Sequence, residues 1–286
     1  MEQLRILPHY ERFRFIDNVR NLGFAAGCNR GITRALSEGC EYVLLLNNDC
    51  IIPWSDFLWD AISLAEREPG CGILGGKILF WPETDRIWST GGYISTLGAE
   101  RHIGHGEIDR GQYENVAHRK FISGALMLIR RRVIETIGLL PEVYFFGKEE
   151  WEYSTRALKA GFTLVYVPSL VAYHEASNSH YWTDPKYVYN GVLSRVLYQK
   201  RNRGTLFYHV WSLLFASYVR VLLPLRYRLR RKLFVGGIDA RTLQTAMLDA
   251  LRDSKTVMAI TEEKIASYSA RRIPEKSVVI HKGSKS

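Results

Sequence analysis

The sequence contains little cysteine, and its cysteines do not form the pattern of a disulfide framework or a zinc site. The four that occur in 286 residues all lie within the first 71, without the close spacing of metal ligands: Cys28, Cys40, Cys50 and Cys71. Residues 1–10 lack the apolar core of a signal peptide. Internal repeats and low-complexity segments are also absent. We therefore expect a protein of the reducing cytoplasm that folds without disulfides.

Composition and charge indicate a globular chain with an anionic partner. Hydrophobic residues make up 47% of the sequence and aromatic residues 12%, which is enough for a substantial core. The length allows one large domain, or one domain with an appendage. The formal net charge is +10, and basic residues are concentrated in 200–203 and 226–232. Such patches favour nucleic acid, anionic lipid or phosphorylated substrates.

Apolar runs that alternate with helical patterns predict an α/β fold. Tyr42–Leu46 is a continuous apolar run, typical of a strand buried on both faces of a parallel sheet. Further strands are predicted at 12–16, 72–80, 121–129 and 162–167. Helices are predicted at 29–38, 53–68, 130–138 and from 149 onward. Glycine turns mark 81–117, which we interpret as a surface excursion. We expect a mostly parallel sheet with helices on both faces.

Acidic residues cluster at the start of the predicted helix that ends at Gly161. Glu152 and Arg156 are four residues apart on this helix, so we expect a salt bridge between them. Glu149 and Glu150 have no such local partner. Like charges held close raise the proton affinity of one member, which suits a general base. The structural alternative is an acidic first turn that is favoured only by the helix dipole.

Two polar stretches lie where α/β sheets commonly bind ligands. Residues 21–31 are rich in small side chains and lead into a helix, whose N-terminus attracts phosphate. Asn47, Asn48 and Asp49 follow an apolar strand directly, at the carboxyl end where open sheets bind ligands. Their oxygens suit Mg²⁺ or Mn²⁺. An ordinary glycine loop and an ordinary Asn/Asp turn are the structural alternatives.

The carboxyl-terminal third predicts a membrane-associating helical region. Leu206–Leu225 is largely apolar and long enough to cross a bilayer. Basic clusters flank both of its ends, which favours an interfacial helix or a re-entrant pair, with the basic residues on anionic headgroups, over a single span. A soluble core helix is the alternative. Residues 238–252 predict an amphipathic helix. The expected organisation is an α/β domain at 1–200, a helical region at 201–272 and a disordered tail at 273–286.

Taken together, these motifs resemble family 2 glycosyltransferases of the GT-A (Rossmann-like) fold, in the rhamnosyltransferase-like branch. Residues 21–29 look like the N-x-G-F-A-x-G-x-N loop of that group, and residues 44–49 look like its strand ending in a D-x-D-type motif. Residues 123–130 are similar to the strand on the acceptor side, and residues 149–156 to the E-D-x-D…R motif. The resemblance spans about 12–200. Family members begin with a strand, a helix and a second strand, and this chain is expected to start after them.

The resemblance assigns candidate site residues. The implied donor-binding residues are Asn21, Gly23, Phe24, Gly27, Asn29, Asn47, Asn48 and Asp49. The implied acceptor-side residues are Ser123, Gly124, Ala125 and Arg156. Asp49 and His174 would bind Mg²⁺ or Mn²⁺, although a lone histidine is more often structural than a ligand.

The resemblance also implies catalytic roles for the acidic cluster. Glu150, at a position where Asp is usual, would remove the proton from the acceptor hydroxyl as that hydroxyl attacks the anomeric carbon. Glu149 and Glu152 would orient the acceptor or support the loop, and Arg156 would hold Glu152. The outcome would be inversion by a single displacement.

The implied function is metal-dependent transfer of a sugar from a nucleotide-sugar donor to a lipid-linked or polysaccharide acceptor. The expected location is the cytoplasmic, inner face of the cell membrane, in cell-envelope polysaccharide biosynthesis. A non-catalytic glycosyltransferase-like binding module is the alternative. Nucleic acid is not an expected partner, because the basic residues flank an apolar run rather than interleave with exposed aromatics.

Overall fold

A computed structural model describes residues 13–175, 184–229 and 239–272. The predicted tail 273–286 and the first residues of the chain lie outside these ranges. The helices are α1 (Phe24–Ser37), α2 (Phe57–Arg67), α3 (Arg131–Ile137), α4 (Glu149–Lys159), α5 (Pro185–Asn202), α6 (Thr205–Ser217), α7 (Leu223–Leu229), α8 (Ala240–Asp253) and α9 (Glu262–Arg272). The strands are β1 (Tyr42–Leu46), β2 (Cys50–Ile51), β3 (Cys71–Phe80), β4 (Ile87–Ser89), β5 (Gly92–Ile94), β6 (Glu100–His102), β7 (Ala117–His118), β8 (Leu126–Arg130) and β9 (Thr163–His174).

The central sheet has the strand order β1-β8-β3-β9-β2, with β4 paired to β3 and β7 paired to β9. Strands β5 and β6 form a separate hairpin. Among the described strands, β3 and β9 are parallel, and the other pairs are antiparallel. The α/β fold is confirmed, and the expected mostly parallel sheet is refined to a mixed one. Apolar runs did not reveal this, because a central antiparallel strand covered on both faces is as apolar as a parallel one.

The two long strands at the centre are confirmed at the predicted positions. Strand β3 is buried along almost its whole length, although Gly75 and Gly76 interrupt its apolar run. These glycines are required by close packing: a Cβ on Gly76 would overlap the carbonyl of Leu170, and one on Gly75 would overlap the side chain of Ile122. Strand β9 is longer than predicted and extends to His174. The paired strands β3 and β9 therefore extend the sheet as far as His174.

Three strand predictions are corrected. The predicted strand 121–129 forms only from Leu126 onward, as β8. Strand β1 forms, but it pairs only with β8, antiparallel, at one end of the described strand order. Its alternate side chains Val43 and Leu45 are buried and the others are more exposed. The described part of the predicted strand 12–16 has no regular structure and is exposed. Phe13 and Phe15 stack on each other there, with ring centroids 6.3 Å apart, so their alternation serves a local contact and not a sheet.

Helices cover both faces of the sheet, as predicted. On one face, α1, α3 and α4 pack on alternate residues such as Val43, Ile73 and Ile129. On the other face, α2 packs on the residues between them, such as Leu74 and Leu128. The period of two along each strand thus sends successive side chains into two different cores.

The carboxyl-terminal helices form a third apolar cluster that is joined to α4. Their buried residues include Tyr189, Leu193, Trp211 and Phe215, and Trp151 of α4 belongs to the same cluster. A helix is confirmed over the predicted 238–252, as α8. Because α5 begins at Pro185 and packs with these later helices, the helical unit includes residues on the amino-terminal side of the expected boundary at 200.

Candidate active site

The acidic cluster lies in the first turn of α4, directly after a strained turn. Gly147 and Lys148 both have positive φ angles, of 78° and 148°, and residues with a side chain rarely adopt the value found at Lys148. Such strain persists only where the surroundings fix the backbone, and it concentrates at functional sites. The turn therefore holds Glu149 and Glu150 at a defined position at the start of the helix.

Glu149 and Glu150 have surroundings unlike those of surface carboxylates. Glu149 is 2% exposed, and its Oε2 has no hydrogen-bond partner among the described residues. Burial raises the pKa of Glu149. Burial, with the nearby carboxylates of Glu149 and Glu100, raises the pKa of Glu150 well above its ordinary value. A carboxylate with a raised pKa is the better proton acceptor near neutral pH, as a general base must be.

Glu152 has different partners from those predicted. Its carboxylate accepts hydrogen bonds from Arg201, with Nη2–Oε1 at 2.8 Å and Nε–Oε2 at 2.9 Å, and from the Tyr144 hydroxyl at 2.7 Å. Asn202 adds a longer contact of 3.3 Å. Burial alone would raise the pKa of Glu152, but these hydrogen bonds outweigh it and lower the pKa. Glu152 is therefore an ionised link between α4 and α5.

The predicted salt bridge between Glu152 and Arg156 is therefore wrong. Arg156 Nη1 donates to the carbonyl of Leu139 at 3.0 Å, and its guanidinium lies 5.8 Å from the ring centroid of Tyr153. Helical spacing allowed the pair, but Arg201 reaches Glu152 from the packed side of α4 and occupies both carboxylate oxygens.

The predicted donor loop is built against the turn that precedes α4. Asn21 Oδ1 accepts a bond from the backbone N–H of Gly23 at 3.0 Å. Gly23 has a φ of 83°, and a Cβ there would overlap the carbonyl oxygen of Phe145. That same oxygen accepts the backbone N–H of Phe24 at 3.1 Å. Glycine is required at this position by both its backbone angle and the close approach.

Phe24 also reaches the predicted acceptor strand. A Cβ on Gly124 would lie 3.1 Å from Cζ of Phe24 and 3.8 Å from Cβ of Glu150. The neighbouring Ser123 is buried, and its Oγ accepts the backbone N–H of Ala125 at 3.2 Å. Residues of the predicted donor loop, acceptor strand and acidic cluster therefore meet at one point.

Asn29 is corrected from a donor-binding to a structural residue. It is buried, its amide nitrogen donates to the Leu140 carbonyl at 2.9 Å and to Glu142 Oε1 at 2.8 Å, and its Oδ1 accepts the Leu140 N–H at 3.0 Å. Both the nitrogen and the oxygen of the Asn29 side-chain amide are thereby used to fix the loop that leads to α4. Gly27 lies two residues earlier in α1, and a Cβ on it would lie 3.9 Å from the side-chain amide nitrogen of Asn18.

The end of β1 and the end of β9 bring the predicted metal ligands together. Asp49 Oδ1 and His174 Nε2 are 3.0 Å apart. Asn47 is held by a bond from its N–H to the Ala125 carbonyl at 3.1 Å, and its side-chain nitrogen lies 3.4 Å from His174 Nε2. Asn48 is exposed in the same turn. Asp49 and His174 are distant in sequence and are brought together by the antiparallel pairing of β2 with β9.

The donor set fits a divalent cation. His174 Nδ1 is a buried atom without a hydrogen-bond partner in the described part of the chain, and Asp49 Oδ1 contacts the other ring nitrogen of His174. Burial lowers the pKa of His174, against the opposing effect of Asp49, and so favours the neutral imidazole that binds metals. Cys50 Sγ lies within 4.8 Å of both ligand atoms. Cys50 was not predicted as a ligand, because the cysteines were judged only by their spacing from one another and not by their proximity to Asp49.

A hairpin in the predicted surface excursion connects the two clusters. Glu100 Oε1 lies 2.7 Å from His102 Nε2, and Lys148 Nζ lies 3.4 Å from Glu100 Oε2. The Trp88 ring contacts the rings of both His102 and His174, at centroid distances of 4.9 and 4.6 Å. Burial would raise the pKa of Glu100, but the bond to His102 and the charge of Lys148 lower it. These residues were missed because a three-residue strand carries no usable periodicity.

A separate surface is formed by the apolar helical run after residue 204. The helix Thr205–Tyr227 has 23 residues and a mean hydropathy of 1.5, and only 22% of its most apolar window is buried. Length and composition alone would allow it to cross a membrane. Its exposed apolar side chains include Leu206, Val210, Leu213, Leu214, Val221 and Leu222.

Comparison with known proteins assigns the family. The sequence model described as "Glycosyltransferase like family 2" matches residues 1–188. The chain belongs to this glycosyltransferase family. Two relatives from Mycobacterium tuberculosis, in strains CDC 1551/Oshkosh and H37Rv, are each 26% identical over 194 residues and are named N-acetylglucosaminyl-diphospho-decaprenol L-rhamnosyltransferase. The match covers 60% of this chain and 62% of each relative, so the chain spans less than two thirds of their length.

Two solved glycosyltransferase structures are similar at low identity. GalNAc-T7 with UDP, GalNAc and Mn²⁺ is 13% identical with a TM-score of 0.48, covering 89% of this chain and 46% of that chain. The mannosyltransferase PcManGT from Pyrobaculum calidifontis, in complex with GDP-Man and Mn²⁺, is 14% identical with a TM-score of 0.42, covering 80% and 66%. The family assignment confirms the resemblance that the sequence motifs predicted.

Proposed function

We propose that this glycosyltransferase-family chain transfers a sugar from a nucleotide-sugar donor to an acceptor hydroxyl, with inversion at the anomeric carbon. The observation that carries the proposal is the meeting of two groups around Ser123–Ala125. One is the acidic pair Glu149 and Glu150, and the other is the pair Asp49 and His174. Gly124 lies beside Glu150, and the Ala125 carbonyl holds Asn47 of the turn that carries Asp49.

Glu150 is the proposed general base. Its raised pKa allows it to take the acceptor proton near neutral pH as the hydroxyl oxygen attacks the anomeric carbon. The bond from that carbon to the nucleoside diphosphate breaks in the same displacement, so the configuration inverts. Glu149 keeps the proton affinity of Glu150 high, because two carboxylates so close do not both ionise readily.

Asp49 and His174 are the proposed ligands of Mg²⁺ or Mn²⁺. A divalent cation there would offset the charge that develops on the leaving diphosphate. The turn at Gly23 and Phe24 is proposed to lie along the donor, because it packs directly on the loop before Glu150. The Trp88 ring against His174 limits access of water to the imidazole.

The proposed acceptor is a lipid-linked glycan at the inner face of the cell membrane, with a polysaccharide as the alternative. The two mycobacterial relatives are named for a lipid-linked acceptor. The exposed apolar helix Thr205–Tyr227 carries Arg220 and Arg226 on its surface, which suits the interface of an anionic membrane. We propose that this helix lies in that interface and keeps the site close to its acceptor, within a membrane-associating region at about 201–272.

Nucleotide binding tests the donor site. The melting temperature of the purified chain is measured with UDP, dTDP and GDP, each with and without Mn²⁺, and again for Asp49→Ala. We expect one nucleotide to raise it only when Mn²⁺ is present, and we expect Asp49→Ala to lose that rise. Absence of a rise with every nucleotide would contradict the proposed donor site and favour the alternative of a binding module without donor.

Vesicle binding tests the membrane proposal. Leu213→Glu with Leu214→Glu should abolish co-sedimentation with vesicles that contain phosphatidylserine, because both side chains are exposed on the apolar helix. Met258→Glu is the matched control, since Met258 is an exposed apolar residue outside that helix. Equal binding by all three chains would exclude this helix as the membrane contact.

A further inference from the structure

Cys50 lies directly opposite His174 in the antiparallel pair β2–β9. Directly opposite residues in such a pair project from the same face of the sheet, with their Cβ atoms about 4.5–5.5 Å apart. The turn before β2 places Asp49 Oδ1 3.0 Å from His174 Nε2. One oxygen, one sulfur and one nitrogen are thereby collected within 4.8 Å of one another.

We propose that Cys50 is a third ligand at this position, and that Asp49, Cys50 and His174 together bind a thiophilic divalent cation of the Zn²⁺ class. The inference deepens the proposed function, because it concerns the same cation position. Zn²⁺ binds carboxylate and imidazole at about 2.0–2.2 Å and thiolate at about 2.3 Å in tetrahedral sites. Such bond lengths separate neighbouring ligand atoms by roughly 3.3–3.8 Å, which the observed spacing accommodates with small side-chain adjustments.

The triad distinguishes hard from soft cations. Mg²⁺ takes oxygen ligands and would leave the thiol protonated, donating to the Ala125 carbonyl as it does at 3.5 Å in the structure. Zn²⁺ would form a bond to Sγ, and the thiol proton would pass to solvent. Three protein ligands leave a fourth position for water or a diphosphate oxygen.

The histidine of the site is enclosed, whereas the Asp49 side chain is 41% exposed. His174 is 6% exposed, with the Trp88 ring perpendicular to its own ring at a centroid distance of 4.6 Å. His174 Nδ1 has no hydrogen-bond partner among the described residues. Zn²⁺ held by the triad would compete with Mg²⁺ or Mn²⁺ for two shared ligands, so we infer that Zn²⁺ inhibits transfer and that loss of Cys50 relieves the inhibition.

Cobalt absorption tests the sulfur ligand directly. Co²⁺ is titrated into the wild-type chain, Cys50→Ser and the matched control Cys40→Ser, whose cysteine is exposed and precedes β1. We expect an intense near-ultraviolet sulfur-to-cobalt band in the wild type and in Cys40→Ser, and its loss in Cys50→Ser. A band that is absent from the wild type, or that persists in Cys50→Ser, would overturn the inference.

Two further readouts separate this inference from folding and from the proposed function. In the wild type, Zn²⁺ should slow alkylation of Cys50 by iodoacetamide and leave alkylation of Cys40 unaffected. This measurement uses no variant, so it does not depend on whether the variants fold. Loss of the sulfur ligand should weaken Zn²⁺ binding at least as much as loss of an outer-sphere partner, about 10–100-fold, with Mn²⁺ binding little changed. Equal alkylation with and without Zn²⁺ would refute the ligand role. A Cys50-dependent cobalt band without sugar transfer would refute the proposed function alone.

Discussion

The link between Glu152 and Arg201 should contribute more to stability than any interaction of Arg156. The change is Arg201→Ala, which leaves a carboxylate that is 4% exposed without its bidentate partner. Breaking a buried pair in this way typically costs 3–5 kcal/mol. Arg201 is itself 47% exposed, so solvent weakens the pair, and we expect about 2 kcal/mol. At roughly 2–4 °C per kcal/mol, the melting temperature should fall by about 4–8 °C.

Arg156→Ala is the matched control, because it removes the arginine that the sequence predicted as the partner of Glu152. Its bond to the Leu139 carbonyl is exposed, and its guanidinium lies 5.8 Å from the ring centroid of Tyr153, so we expect a loss below about 1 kcal/mol. Thermal unfolding followed by circular dichroism measures both changes. A fall for Arg156→Ala equal to or larger than that for Arg201→Ala would refute the assignment of partners.

The same pair predicts a pH dependence of stability. The pKa of Glu152 is lower in the folded chain than its ordinary value of about 4.3, so ionised Glu152 stabilises the fold above that pH. This contribution is lost as the pH falls through the lower, folded-state pKa. The difference between wild type and Arg201→Ala should therefore be complete at pH 7 and shrink below about pH 4. A difference that stays constant down to pH 3 would contradict the ionised pair.

Two further changes test the surroundings of Glu150. Glu100→Gln removes a charge that raises the pKa of Glu150, so the acidic limb of the pH–rate profile should move to lower pH; an unchanged limb would exclude that coupling. Gly23→Ala places a Cβ against the Phe145 carbonyl at a positive φ and should destabilise the fold by about 1–3 kcal/mol. Gly31→Ala, in open space within α1, should instead stabilise it by about 1 kcal/mol, as thermal unfolding would show.

Local sequence patterns predicted the secondary-structure elements well, but they did not predict which strands lie next to each other in the sheet. The apolar runs of β1, β3 and β9 and the helices on both faces follow from periodicity, which is a local property. The place of β1 beside β8 and the single parallel pair β3–β9 in the described sheet depend on long connections that no local pattern encodes. A strand that is buried on both faces has the same apolar sequence whether its neighbours are parallel or antiparallel.

The residues of the candidate site that belong to sequence motifs were predicted, and the others were not. Asp49 and Glu150 were identified from strand-end and helix-start motifs, and the resemblance supplied His174. Glu100 could not be found, because its importance lies in a contact with Lys148 across a hairpin that the sequence presents as a loop. Arg156 was mispaired for the opposite reason: helical spacing suggested a contact, and a distant arginine on α5 made a better one.

The central claim is that Glu150 accepts the proton of the acceptor hydroxyl. The most direct test measures single-turnover sugar transfer by the wild type, Glu150→Gln and Glu262→Gln, with the nucleotide sugar identified by the melting experiment. Glu262 is the control because it also lies in the first turn of a helix, at the start of α9. We predict a loss of about 10²–10⁴-fold for Glu150→Gln with nucleotide binding retained, and no loss for the control. Transfer by Glu150→Gln at the wild-type rate would contradict the account.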